Sequence, residues 1–186
     1  MAYIDIIEYE QSQGELREAY DELISSRGKL ASIHKIHSLN PKAMMDHMDL
    51  YMTLLYGKSP LKRLHREMIG TAVSIANDCE YCQLHHVEAM NHYWKDDDRA
   101  ARFLKDYRTA DLTELEEALC KYAFDHTKSP AVDKKDQLER LKELGLDDRA
   151  ILDATMIIAY FNFVNRIVLG LDVATEESGV GGYKFD

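Results

Sequence analysis

Two thiols and two imidazoles share one short run, Cys79-Glu80-Tyr81-Cys82-Gln83-Leu84-His85-His86, and a carboxylate, Glu67, stands ahead of it with eleven residues between. These residue types suit redox work. A dithiol can cycle to a disulfide, an imidazole can accept a thiol proton, and a carboxylate can orient the imidazole. They are also the atoms that zinc prefers. The chain has only three cysteines, and two of them are here. At about 100° per residue, Cys79, Cys82 and His86 fall within about 60° of arc on a helix, while His85 points roughly 120° from Cys79. The two sulfurs are then i,i+3 neighbours and Cys82 and His86 are i,i+4 neighbours. That spacing permits a disulfide and brings an imidazole to Cys82.

The elements that must position these groups can be read on either side. Asn77-Asp78 interrupts an apolar, helix-periodic run, and Asp78 is expected to N-cap the helix that carries the cysteines. A helix N-terminus lowers a thiol pKa, but Asp78 and Glu80 work against the thiolate. The conflict calls for a dedicated base. His86 is the candidate, with Glu67 to orient it or take its proton. Glu67 lies in a helix expected over 61–77, at the edge of the stripe Leu61, Leu64, Met68, Ala72 and Ile75. The adjoining face is Gly70, Thr71 and Ser74, small residues that let another helix approach closely.

The pattern E-x11-C-x-x-C-x3-H resembles the signature of the alkylhydroperoxidase D-like proteins of the carboxymuconolactone decarboxylase superfamily. The segment HREMIGTAVSIANDCEYCQLHHVEAM looks like the peroxidase-related branch, as does AYFNFVNRIVLGL near the C-terminus. The resemblance implies an all-α, AhpD-like multi-helix bundle with the CxxC at the N-terminus of a core helix. It implies Cys82 as peroxidatic nucleophile, Cys79 as resolving thiol, and His86 with Glu67 as proton relay. A hydroperoxide would be the substrate, and an external, lipoyl-linked dithiol the reductant. It also implies a homo-oligomer, trimer or hexamer, and no metal, flavin or haem. One position departs from the family: Tyr81 stands where well-studied members have histidine. A tyrosine donates a hydrogen bond but is a poor base near neutral pH.

The rest of the chain is consistent with one helical domain over 1–186, ending in an irregular tail at 175–186. Helices are expected near 14–26, 41–56, 61–77, 79–95, 98–106, 111–127, 132–144 and 147–172. Asn40-Pro41 and Ser59-Pro60 read as N-cap followed by N1 proline. Thr113 with Glu116 reads as a capping box, and Leu144-Gly145-Leu146-Asp147 as a stop and restart. The net charge of −10 argues against nucleic acid or an anionic membrane as partner. The apolar stretch 151–171 contains Asp153, Asn162, Asn165 and Arg166, so a buried or interface helix is expected rather than a membrane span. Three cysteines without a signal-like segment point to the cytoplasm.

Rival readings are a redox sensor that keeps the CxxC but turns over poorly, a zinc-binding helical protein, and a decarboxylase-like enzyme of the same superfamily. Zinc is disfavoured because thiols and imidazole come from a single stripe, whereas structural sites draw ligand pairs from two elements. Lactone decarboxylation does not need a CxxC. His85 reads as a supporting or interface residue. His34, His37, His47, His65, His92 and His126 read as surface or polar-core residues, with His37 and His65 possible at a site entrance. Cys120 reads as a buried, inert thiol. The Met44, Met45, Met48, Met52 patch reads as core or subunit contact, Asp96-Asp97-Asp98 as a helix boundary, and Asn162, Asn165 and Arg166 as a hydrogen-bond network.

Overall fold

Helix punctuation sets where this chain turns. The computed structural model describes residues 2–176 and Gly179, and among them every regular element is helical. The α-helices are α1 (Gly14–Arg27), α2 (Ser32–Lys35), α3 (Pro41–Tyr56), α4 (Arg63–Ala76), α5 (Glu80–Trp94), α6 (Asp97–Lys105), α7 (Glu114–Lys128), α8 (Lys135–Glu143) and α9 (Asp148–Leu171). The described fold is thus all-α. Apart from Thr175, Glu176 and Gly179, the expected irregular tail lies outside the described residues. The four-residue α2 was not foreseen, being too short to show a period.

The caps explain most boundaries. Asn40 accepts from the Ala43 amide at 3.1 Å with Pro41 at N1 of α3. Thr113 and Glu116 form a reciprocal capping box on α7. Asp96 caps α6 and Asp147 caps α9, the latter just after Gly145 at φ +95°. Two starts differ from expectation. Ser59-Pro60 does not open α4; Ser59 Oγ accepts from the Leu61 amide in a turn, and Lys62 takes the N-cap position. Asp78 does not cap α5 either. It adopts φ 56°, and Cys79 is the N-cap. The reason is that α4 closes on itself: the Asp78 amide donates to Ile75 O at 3.1 Å and the Cys79 amide to Ser74 O at 2.9 Å. This is the paired closure that usually places glycine at the left-handed position.

Helix α4 is the central element, packed against α5, α7 and α9 and buried around almost its whole circumference from His65 to Ala76. Its closest approach to α9 is at Gly70, where a Cβ would fall 2.5 Å from the Phe161 ring. The apolar interior has two parts. The larger is built on α4, α5, α7 and α9; the smaller comprises Leu16, Ala19, Tyr20, Leu23, Met44 and Met48 of α1 and α3. Full burial of a side chain such as Leu23 or Phe161 contributes about 1.5–3 kcal/mol. Met44 and Met48 are therefore core, and of that methionine patch Met52 is partly exposed.

The polar residues of α9 tie helices together. The Asn77 amide donates to Asn162 Oδ1 and Asn165 Oδ1, both at 3.1 Å, and Asn162 donates to Thr127 Oγ1 at 3.0 Å. This interhelical network anchors the turn just before Cys79. By length and composition α9 could cross a membrane, with 44% of its apolar window buried inside the protein. Its outer stripe exposes Leu152, Met156, Phe163 and Leu169.

Candidate functional site

The α4–α5 turn delivers both cysteines to the start of α5. Cys79 is the N-cap and Cys82 lies in the first turn; both are free thiols and buried. They differ in what they face. Cys82 lines a cavity of about 80 Å3, room for several waters or a small organic group, together with His85, His86, Tyr160 and Phe161. Cys79 is fully buried behind it and does not line the cavity.

The thiols titrate as a pair. The hydrogen bond between them lowers Cys79, against the effect of burial. The same bond and burial raise Cys82, with the Asn165 side chain working the other way. These opposite shifts belong to the pair rather than to either sulfur.

Glu67 and His86 meet across the α4–α5 contact. Glu67 is fully buried, and its Oε2 lies 2.8 Å from His86 Nδ1. Its Oε1 pairs with Arg63 at 2.5 Å. Burial pushes the Glu67 carboxyl up, but the His86 hydrogen bond and the charges of His86, Arg63 and Arg27 bring it below the ordinary value. Ionised Glu67 can only accept, so His86 Nδ1 must donate. That leaves Nε2 as the nitrogen for proton transfer. Phe161 packs edge-on against the His86 ring at 4.4 Å between centroids and holds it in place.

A second carboxylate–imidazole pair stands beside the first. Glu176, just beyond α9, pairs with His85 Nε2 at 3.0 Å and accepts from the Ser32 amide at 2.6 Å and the Tyr81 hydroxyl at 2.9 Å. His85 Nδ1 lies 2.8 Å from its own helix carbonyl at Tyr81. The Tyr81 hydroxyl is thereby committed to a strap that crosses from the end of α9 to α2.

Several lining residues gave no signal in the sequence. His34 and His47 line the cavity, whereas His37 and His65 do not. Burial holds His34 down at about 3 and His47 at about 4, so both are neutral at pH 7. His47 Nε2 lies 2.6 Å from the Tyr160 hydroxyl. Arg27, in the last turn of α1 where a cation suits the helix dipole, is buried against the same cavity. Cys120 is buried away from the site, and burial raises its pKa. Among the described residues no group of three or more His, Cys, Asp or Glu side chains stands close enough to hold a metal ion.

Residues 41–125 match the carboxymuconolactone decarboxylase family. The fold is similar to that of an uncharacterized peroxidase-related protein from Silicibacter sp. TM1040, at 25% identity and TM-score 0.83 over 92% of this chain and 89% of that one. It is also similar to the alkylhydroperoxidase AhpD core of a peroxidase-related protein from Ralstonia eutropha JMP134, at 22% identity and TM-score 0.86 over 96% and 94%. A variant of the debrominase Bmp8 in complex with 2,3,4-tribromopyrrole has a similar fold too, at 19% identity and TM-score 0.77 over 96% and 95%. No curated protein matches the chain in sequence. The fold is AhpD-like, and the segment 41–125 within it matches the carboxymuconolactone decarboxylase family.

Proposed function

We propose that the protein is a thiol-dependent peroxidase. The observation that carries this reading is that Cys82 and a Glu67-backed His86 line one cavity, with Cys79 directly behind. Attack requires the negative charge on Cys82, so its proton passes to His86 Nε2. The Cys82 thiolate attacks the terminal oxygen of the hydroperoxide. An S–O bond forms, the O–O bond breaks, and the alkoxide leaves as alcohol with a proton from His86. Cys82 is now a sulfenic acid. Cys79 attacks its sulfur, and the hydroxide leaves as water with the Cys79 thiol proton, giving the Cys79–Cys82 disulfide. An external dithiol, in this family's manner lipoyl-linked, returns two electrons by exchange and becomes a disulfide itself. A reducing compartment such as the cytoplasm suits that cycle.

The test is sulfenate trapping with a dimedone-type probe, together with steady-state turnover on a supplied dithiol. Cys79→Ser should react once with peroxide and stop at a labelled Cys82. Cys82→Ser should consume none. Labelling at Cys79 in Cys82→Ser would reverse the roles. One stoichiometric oxidation without turnover would instead identify a redox sensor, and stoichiometric zinc lost on Cys79→Ser would identify a metal protein.

The halopyrrole held by the Bmp8 variant favours one second reading, reductive debromination by the same dithiol. There an aryl C–Br bond and two thiols would yield C–H, bromide, a proton and the disulfide. Bromide release from bromopyrroles without hydroperoxide turnover would select it. We also propose a homo-oligomer, trimer or hexamer, assembled through the exposed stripe of α9. Phe163→Glu should weaken it, and a monomeric wild type at micromolar concentration by light scattering would refute it.

A further inference from the structure

The cavity holds a charge that the thiol chemistry does not use. Arg27 is 6% exposed and lines the cavity. Its guanidinium donates to the Tyr56 hydroxyl at 2.9 Å and to Met52 Sδ at 3.7 Å. It stands 4.7 Å from the Tyr56 ring centroid and 5.6 Å from that of Tyr51. None of these partners is an anion, and among the described residues no carboxylate forms an ion pair with Arg27. Glu67, whose charge Arg27 does feel, is already shared by Arg63 at 2.5 Å and His86 at 2.8 Å. Two buried guanidiniums therefore face one buried carboxylate. A guanidinium cannot discharge itself by losing a proton, and a buried charge without a counterion is costly. The histidines around the cavity supply no negative charge to offset it.

We propose that Arg27 anchors the anionic end of the substrate, a small organic molecule with one carboxylate. The planar fork of a guanidinium matches a carboxylate in two parallel hydrogen bonds. A single excess positive charge suits a monoanion rather than a phosphate dianion. The apolar body would lie against Tyr51, Tyr160, Phe161 and Val164, which line the same space as Cys82. In the peroxidase reading, on which only this last step rests, the reactive end at Cys82 is the hydroperoxide of a carboxylate-bearing compound.

The experiment has two arms. In the first, calorimetry compares 4-isopropylbenzoate with the neutral 4-isopropylbenzyl alcohol on the reduced full chain. The wild type should prefer the carboxylate by about tenfold or more, the scale of a desolvated charge contact. Arg27→Met should lose that preference, and Arg27→Lys should restore part of it. An Arg27 that only braces Tyr51 and Tyr56 would leave the two ligands equally bound in the wild type, and that result overturns the proposal, as does a preference that survives in Arg27→Met. Should Arg27→Met not fold, Arg27→Gln replaces it, and the wild-type ratio decides by itself. In the second arm, kcat/KM is compared for cumene hydroperoxide and its 4-carboxylate, with the same ratios expected. A carboxylate preference in the first arm with no hydroperoxide consumed in the second upholds the anion site and removes the peroxidase reading alone.

Discussion

Adjacent histidines on α5 each hold a carboxylate, and the two pairs behave differently because of what surrounds them. His86 reaches Glu67 on the neighbouring helix, 19 residues away in sequence. His85 reaches Glu176, which lies beyond α9. The Glu67 carboxylate is fully buried and also tied to Arg63, while His86 keeps Nε2 for the cavity. Both ring nitrogens of His85 face acceptors, the Tyr81 carbonyl and Glu176, and neither is left over for a thiol. Glu176 in turn fastens α2 and Tyr81 to the end of the chain. Under the proposed function, like chemistry gives a proton relay in one place and a strap in the other. The difference lies in His86 having Nε2 left over on the cavity that Cys82 also lines, and a carboxylate–imidazole contact alone does not make it.

Glu67→Gln should give the largest effect. It removes the charge that orients His86 and favours its protonated form, and the peroxide reaction should slow by about a hundredfold to ten-thousandfold, the range of a general-base component. The loss should shrink at high pH, where hydroxide deprotonates the dithiol unaided. A pH profile of peroxide reduction and thiol alkylation checks this; a wild-type profile in the variant would make Glu67 a packing residue like any other.

Gly70→Val sharpens the contrast by attacking the packing of the relay. The added carbons meet the Phe161 ring, which holds His86. Overpacking of this kind costs about 1–3 kcal/mol, and the urea midpoint should fall accordingly, with slower peroxide reduction in the fraction that stays folded.

Glu176→Gln should act on the strap. Loss of the charge-assisted bonds to His85 and Ser32 should cost about 1–2 kcal/mol, with hydrogen exchange rising at the Ser32 and Ile33 amides. The peroxide rate should change far less than in Glu67→Gln. An equal loss of rate in both variants would break the comparison, since the two pairs would then serve the dithiol alike.

The smallest effect concerns pH. Burial would raise the Glu176 carboxyl, but the His85 hydrogen bond, the Ser32 amide and the His85 charge hold it far below its ordinary value. A depressed carboxyl stabilises the folded chain above its unfolded pKa, and that contribution is lost as pH falls below it. The stability gap between wild type and Glu176→Gln should therefore be flat above about pH 5 and narrow on further acidification. His34 and His47 are depressed from 6.5 to about 3 and about 4, so acid also destabilises through them, starting near pH 6.5. That slope should persist in both proteins, and chemical denaturation at stepped pH separates the two contributions.

The sequence by itself determined the helices, most of their caps and one of the two pairs. Periodicity and capping are local, and Glu67, Cys79, Cys82 and His86 sit on consecutive helices whose connection is a short turn, so their meeting follows from spacing. Asp78 was misread because an N-cap and a left-handed helix end favour the same residue types; only the closure onto Ser74 and Ile75 distinguishes them. The tertiary structure alone decided the rest. Arg27, His34, His47 and Glu176 belong to segments far apart in the chain, and each has an ordinary local explanation. They converge because α1, α2 and α3 fold over α5 and α9, leaving the cavity at the seam between two apolar clusters. Burial then neutralised His34 and His47 and left Arg27 with no carboxylate paired to it among the described residues, effects that arise from desolvation and cannot be present in an extended chain.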